Sequence, residues 1–181
     1  MKTRIICALV LVASLVISCK DGKSVDDLQV VDKEVETKGF KVTFNAIVDK
    51  DDNFQIFYNE DGTEAFDGRQ MITLNVKGKA EAQDLVFVAP EGDKPVTLRF
   101  DLGANKELTK VPFTSFKLEY QGKTFEAKGA EIFKYFYPNG SVKCDTLSAS
   151  AITKIADDGS YDPIIGATPA LKVEIAKLYG K

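Results

Sequence analysis

Lys41-Val42-Thr43-Phe44-Asn45-Ala46-Ile47-Val48 is the stretch that decides the fold. Val42, Phe44, Ala46 and Val48 take alternate positions, and Lys41, Thr43, Asn45 and Ile47 take the others. Successive side chains of a strand point to opposite faces, so this pattern predicts a strand with one face buried. The same period recurs along the chain. Residues 54–58 are apolar enough for a central strand, and residues 71–77 place Ile72, Leu74 and Val76 on one face. Residues 85–89 form another short apolar run. Val96, Leu98 and Phe100 then alternate with Thr97, Arg99 and Asp101, and Phe116, Leu118 and Tyr120 line a further strand. Pro112 marks an edge or a bulge in that last segment.

The second half is read in the same way. Gln121-Gly122-Lys123 is a tight turn into residues 124–127, and Pro138-Asn139-Gly140 is a hairpin joining strands at 132–137 and 141–148. Residues 170–179, with Leu171, Val173 and Ile175 in step, are read as a closing strand. Only residues 149–156 are read as tolerating a helical turn. Roughly nine to eleven short strands with Gly, Pro and Asn turns predict an all-β fold, a single jelly-roll-like β-sandwich over residues 39–181.

Composition narrows the function classes. The chain has 181 residues, 24 basic and 27 acidic side chains, and no histidine. Ser-His-Asp and Cys-His catalysis and His-ligated zinc are therefore excluded. Without Lys2 and Arg4 the balance is −5, which argues against a nucleic-acid partner. Tryptophan is absent, which removes the strongest stacking side chain. The composition calls for no cofactor and no metal.

Residues 1–18 carry Lys2 and Arg4, then an apolar or small-residue run from 5 to 17, the pattern of an export signal. Thirteen residues fall short of the about 20 that span a bilayer. Val16-Ile17-Ser18-Cys19 resembles the lipobox of bacterial lipoproteins. The resemblance implies that Cys19 receives the lipid and becomes the mature N-terminus, so the membrane is a partner through that lipid. Residues 19–38, dense in charge and Ser/Thr, read as a tether. Lys20 and Asp21, with Asp26 and Asp27 nearby, resemble the segment that follows the cysteine in Bacteroidetes-type surface lipoproteins. That resemblance implies the outer membrane, on the cell surface. Cys7 leaves with the signal, so Cys144 is left unpaired and reads as a small buried hydrophobe.

Residues 54–58, then Leu98-Arg99-Phe100-Asp101-Leu102-Gly103, then Asp162-Pro163-Ile164 resemble landmarks of a carbohydrate-binding-like sandwich module of envelope polysaccharide-assembly proteins. Three groups of residues are weighed for chemistry. Asp49, Asp51 and Asn53, with Glu60, have calcium-loop spacing, but Phe54 fills the position that needs glycine, which favours a solvated turn. Phe133, Tyr135 and Tyr137 share one face of the strand expected at 132–137, either stacking on sugar or packing into the core, with Lys134 on the other face favouring the core. Arg99 and Asp101 share a polar strand face, as a local ion pair or as a ligand-binding pair, and the ion pair is favoured. Tyr135, Tyr137, Arg99 and Asp101 are the candidate ligand-binding residues, and no catalytic residue is singled out. The expected function is a non-catalytic binding module for glycan or an envelope protein. The alternative is a structural or accessory subunit of a cell-envelope complex with no small-molecule ligand.

Overall fold

A computed structural model describes residues 38–181 of this chain. The expected signal at 1–18, Cys19 and the expected tether up to residue 37 lie outside the described residues. Among the described residues no helix is long and apolar enough to cross a membrane. The strands are β1 (Lys41–Ile47), β2 (Asp52–Asn59), β3 (Met71–Val76), β4 (Ala82–Val88), β5 (Thr97–Asp101), β6 (Lys110–Tyr120), β7 (Lys123–Lys128), β8 (Phe136–Pro138), β9 (Val142–Asp145), β10 (Ser150–Thr153) and β11 (Ile164–Ala167). Two helices accompany them, α1 (Ile132–Tyr135) and α2 (Pro169–Leu178).

The strands form an all-β sandwich of two antiparallel sheets. One has the order β4-β1-β6-β10-β9, with β7 also paired to β6, and the other has the order β3-β2-β5-β11-β8. β1 buries Val42, Phe44 and Ala46, as its alternation requires. Next to Pro112 the pairing of β1 with β6 slips by one residue: Asn45 faces Ser115 and Ala46 faces Phe113. This is a bulge, which absorbs the local irregularity of the long strand.

The core is phenylalanine-rich. Phe44 of one sheet stacks on Phe100 of the other at 4.1 Å, and its ring also meets Phe116 at 4.8 Å and Phe136 at 5.6 Å. Each such buried side chain contributes about 1.5–3 kcal/mol, and favourable aromatic pairs add about 0.5–1.5 kcal/mol. Cys144 is the only cysteine among the described residues and it is free, so burial rather than cross-linking holds this domain together.

Four expectations are corrected by the structure. Residues 170–179 are not a strand: α2 buries Leu171, Ile175 and Leu178 at helical spacing and leaves Val173 54% exposed. Thr168 caps it by accepting the Leu171 N–H, and Pro169 occupies the first turn, where its missing N–H costs nothing. Residues 132–137 are not one strand either. Gly129, at φ +52°, ends β7, and a 3-10 turn over Gly129–Glu131 leads into the single turn of α1. The Tyr135 carbonyl at the end of that turn accepts the Thr168 N–H, and the Lys134 carbonyl accepts the Thr168 hydroxyl.

Pro138-Asn139-Gly140 is not a hairpin but a passage between sheets, because β8 pairs with β11 while β9 pairs with β10. Residues 149–156 hold strand β10, which buries Ser150, Ala151 and Thr153 between β6 and β9. Cys144, read from the sequence as a small buried hydrophobe, does turn toward the core. Cys144 faces buried Ala151 across the β9–β10 pair while Lys143 points to water. Because β9 is an edge strand, Cys144 is half-buried, and burial pushes its thiol up to about 11.

Candidate functional site

The outer face of the five-stranded sheet is where the candidate residues meet. Antiparallel register places Met71, Phe57, Arg99, Gly166 and Tyr137 side by side, one from each of its five strands. The next row holds Thr73, Gln55, Asp101 and Ile164. Gly166 is the low point of the first row. A Cβ there would stand 2.7 Å from Tyr137 Cζ and 2.8 Å from its hydroxyl, so the tyrosine ring lies across the glycine backbone. Only glycine permits that approach.

Arg99 is fixed from several sides. Its Nε and Nη2 donate to the two carboxylate oxygens of Asp101, each at 2.8 Å. The guanidinium carbon lies 4.1 Å above the Phe57 ring and 5.6 Å from the Phe66 ring. A bidentate, stacked guanidinium is held in one orientation. Three of its five N–H groups remain for another partner. Burial pushes the Asp101 carboxyl up; the hydrogen bonds and charge of Arg99 oppose this, and the charge of Asp162 adds to it, leaving Asp101 above the ordinary carboxylate range.

Tyr137 is 42% exposed and donates its hydroxyl to Glu64 Oε2 at 3.0 Å. Burial and then the Glu64 carboxylate push the phenol up, so the tyrosine stays neutral. Between these groups lies a hollow of about 160 Å³ lined by Glu64, Phe66, Arg99, Tyr137, Asn139 and Ile164 above Gly166. At about 30 Å³ per water it has room for one sugar ring rather than a long chain. Asn139 is pinned at its rim: its side-chain amide donates to the Asp162 carbonyl at 2.6 Å, and its side-chain oxygen accepts the Ser141 N–H at 3.0 Å. With Arg99 neutralised by Asp101, Glu64 leaves the hollow with a single negative charge. That suits a hydroxyl-rich ligand better than an anion.

The structure thus brings Arg99, Asp101 and Tyr137 onto one face, and Arg99 and Asp101 are indeed a local ion pair. Tyr135 is elsewhere. It belongs to α1, where its ring packs edge-on to Phe125 at 4.9 Å, and Phe133 meets Phe113 at 6.2 Å. The expected aromatic row therefore does not exist, because the turn of α1 rotates these side chains away from Tyr137. Glu64, Phe66 and Gly166 were not anticipated. Glu64 and Phe66 come from the loop after β2, and no local pattern marks them. Asn139 sat inside a turn signal that pointed only to chain reversal.

The carboxylates with calcium-loop spacing are differently employed. Asp51 accepts from Lys77 Nζ and from the Gly78 N–H, and these two donors hold its carboxyl below the ordinary range. Glu60 lies beyond the far end of β2, eight residues of extended chain away, and accepts the Lys94 N–H. Asp52 has a structural role that the sequence did not announce. Its carboxylate accepts the N–H groups of Ala104 and Asn105 at 3.1 and 2.9 Å and lies against Gly103, tying the start of β2 to the turn after β5. Among the described residues no group of three or more carboxylates or thiols is placed to hold a metal ion. Comparison with protein-family models, with curated proteins and with solved structures finds no match to this chain.

Proposed function

We propose that this chain is a non-catalytic glycan-binding module, held at the outer membrane by lipid on Cys19. The observation that carries the reading is the hollow above Gly166. An oriented guanidinium, a tyrosine ring laid flat on the sheet, a carboxylate and a pinned asparagine converge on a space of one sugar ring. Few, fixed polar groups around an apolar floor are the usual make-up of a small-ligand site. Ordering these groups in advance lowers the entropic cost of binding. The anchor rests on the lipobox resemblance at Cys19.

A glycan array probed with the chain from residue 20 onward tests the reading, since the described core closes within residues 38–181. Saturable binding to a glycan class, weakened about tenfold or more in Tyr137→Ala, is the expected result. Absence of binding to any glycan, or binding indifferent to Tyr137→Ala and Arg99→Gln, would overturn it. The anchor is tested separately: Cys19→Ala is expected to leave an uncleaved precursor that takes up no fatty acid.

A further inference from the structure

A second, larger hollow of about 580 Å³ lies at one end of the sandwich. Four segments build its rim. Glu60 follows β2, Lys94 belongs to the turn before β5, Lys123 opens β7, and Lys181 follows α2. One wall is aromatic: Tyr120 and Tyr179 meet edge-to-face at 4.9 Å, and Phe40 backs both rings at 6.3 and 6.0 Å. Tyr179 is locked by donating its hydroxyl to the Pro95 carbonyl at 2.9 Å. This is also the end at which residue 38 enters the domain, since Lys38 lies 3.8 Å from Glu91 in the same turn as Lys94.

The charge balance here is the reverse of that above Gly166. The Lys94 and Lys123 ammonium groups face one side-chain carboxylate, Glu60, which already accepts the main-chain N–H of Lys94, while Lys181 brings an ammonium group together with its own α-carboxylate. Among the described residues Lys94, Lys123 and Lys181 form no ion pair. Lys50, Lys79, Lys106, Lys110, Lys143, Lys154 and Lys172 likewise have no ion pair among the described residues, so what sets Lys94, Lys123 and Lys181 apart is that they line one hollow. Lys123 is moreover placed by the fold. Its Nζ stands 3.3 Å from where a Cβ of Gly180 would be, over the carboxyl end of α2, whose partial negative charge favours an ammonium there. The turn that presents it is tight, with Gln121 at φ +47° and Gly122 at φ +76°. Ammonium groups are compact, mobile point charges suited to phosphate, whereas no guanidinium fork for a planar carboxylate is present.

We propose that this hollow is a second binding site, taking a phosphate-bearing, sugar-sized group with its ring against Tyr120 and Tyr179 and its phosphate among Lys94, Lys123 and Lys181. The phosphate can come from a soluble sugar phosphate or from the headgroup of a lipid. The site is independent of the hollow above Gly166 and stands or falls apart from it.

The chain from residue 20 onward, isotope-labelled, is titrated with glucose 1-phosphate, with glucose, and with vesicles of phosphatidylglycerol or of phosphatidylcholine. Saturable shifts at the amides of Tyr120, Lys123 and Gly180 with glucose 1-phosphate but not glucose support a soluble ligand. Binding to phosphatidylglycerol vesicles alone supports a lipid source. In either case Lys94→Gln/Lys123→Gln weakens binding about tenfold, added salt weakens it further, and Tyr137→Ala leaves it unchanged. Binding to neither probe, or binding that survives the double substitution in a folded protein, would overturn the proposal. The dispersion of the amide spectrum reports folding of each variant.

Discussion

The outer faces of the two sheets are both polar, yet they are built on different plans. On the six-stranded face, polar side chains pair both across strands and along them: across strands, Lys41 reaches Glu119 at 3.0 Å and Asn45 donates to Asp84 at 2.7 Å. Along that face Lys117 also meets Glu119 at 2.8 Å and Lys128 meets Glu126 at 3.5 Å. These are long side chains laid over the sheet, and they fill it. On the five-stranded face, Arg99 pairs along its own strand with Asp101, and its cross-strand neighbours are Phe57 on one side and a glycine, Gly166, on the other. The place where a side chain would have stood is left as a hollow. Within-strand ion pairs occur on both faces; a sheet face becomes a site when one row is left low, not when it carries more charge.

That contrast can be broken at several points. The largest effect is expected from Arg99→Ala. Asp101 keeps a side chain only 13% exposed and loses its bidentate partner, at a cost of about 2 kcal/mol near neutral pH. The loss shrinks toward acid, where Asp101 is protonated in folded and unfolded chains alike; urea titrations at several pH values measure both. Gly166→Ala comes next, at about 1–2 kcal/mol, because the new Cβ meets the Tyr137 ring at 2.7 Å. Adding Tyr137→Ala should recover most of that loss in a double-mutant cycle. Full additivity would mean that the ring does not lie on the glycine.

On the other face, Thr43 carries a buried hydroxyl without a hydrogen-bond partner, between Val86 and Lys117. Thr43→Val keeps the shape and removes the unpaired group, so stability should rise by about 1 kcal/mol, read as a higher urea midpoint. The smallest effect is that of Glu119→Gln, about 0.5 kcal/mol. Its pH dependence is the sharper test. Burial raises the Glu119 carboxyl, but hydrogen bonds and charge from Lys117 and Lys41 outweigh it and hold the group below the ordinary range. Its contribution is therefore present at neutral pH and lost as pH falls through its folded value. Asp101 lies above its ordinary value, so its contribution is present in acid and lost as pH rises through its folded value. Glu119→Gln should thus cost least in acid and Asp101→Asn should cost most there. Parallel pH profiles for the two variants would erase the distinction between the faces.

The strands that show one wet face were legible. β1 to β7 follow period-two patterning because each presents alternate residues to one shared core. The reading failed where alternation and helical spacing coincide. Leu171, Val173 and Ile175 fit a strand, but Leu171, Ile175 and Leu178 fit a helix, and Thr168-Pro169 with Gly180 should have settled the choice. β11 escaped because Ile165, Gly166 and Ala167 are buried in succession, leaving no alternation to detect. Of the site, Arg99, Asp101 and Tyr137 could be named as polar or aromatic residues on strands. Their meeting depends on β11 lying between β5 and β8, a pairing of segments far apart in the chain that no local spacing encodes.

The position of α2 bears on the order of events in folding. It is the last element among the described residues, and through Leu171, Ile175 and Leu178 it packs into the core. The five-stranded sheet likewise waits for β11, which ends at residue 167, before β8 has a neighbour. A chain threaded out amino end first therefore cannot seal its core on the way. Its early strands must stay unclosed until β11 and α2 arrive, and most of its pairings then form across long loops. Such folding is slow, on the order of milliseconds to seconds.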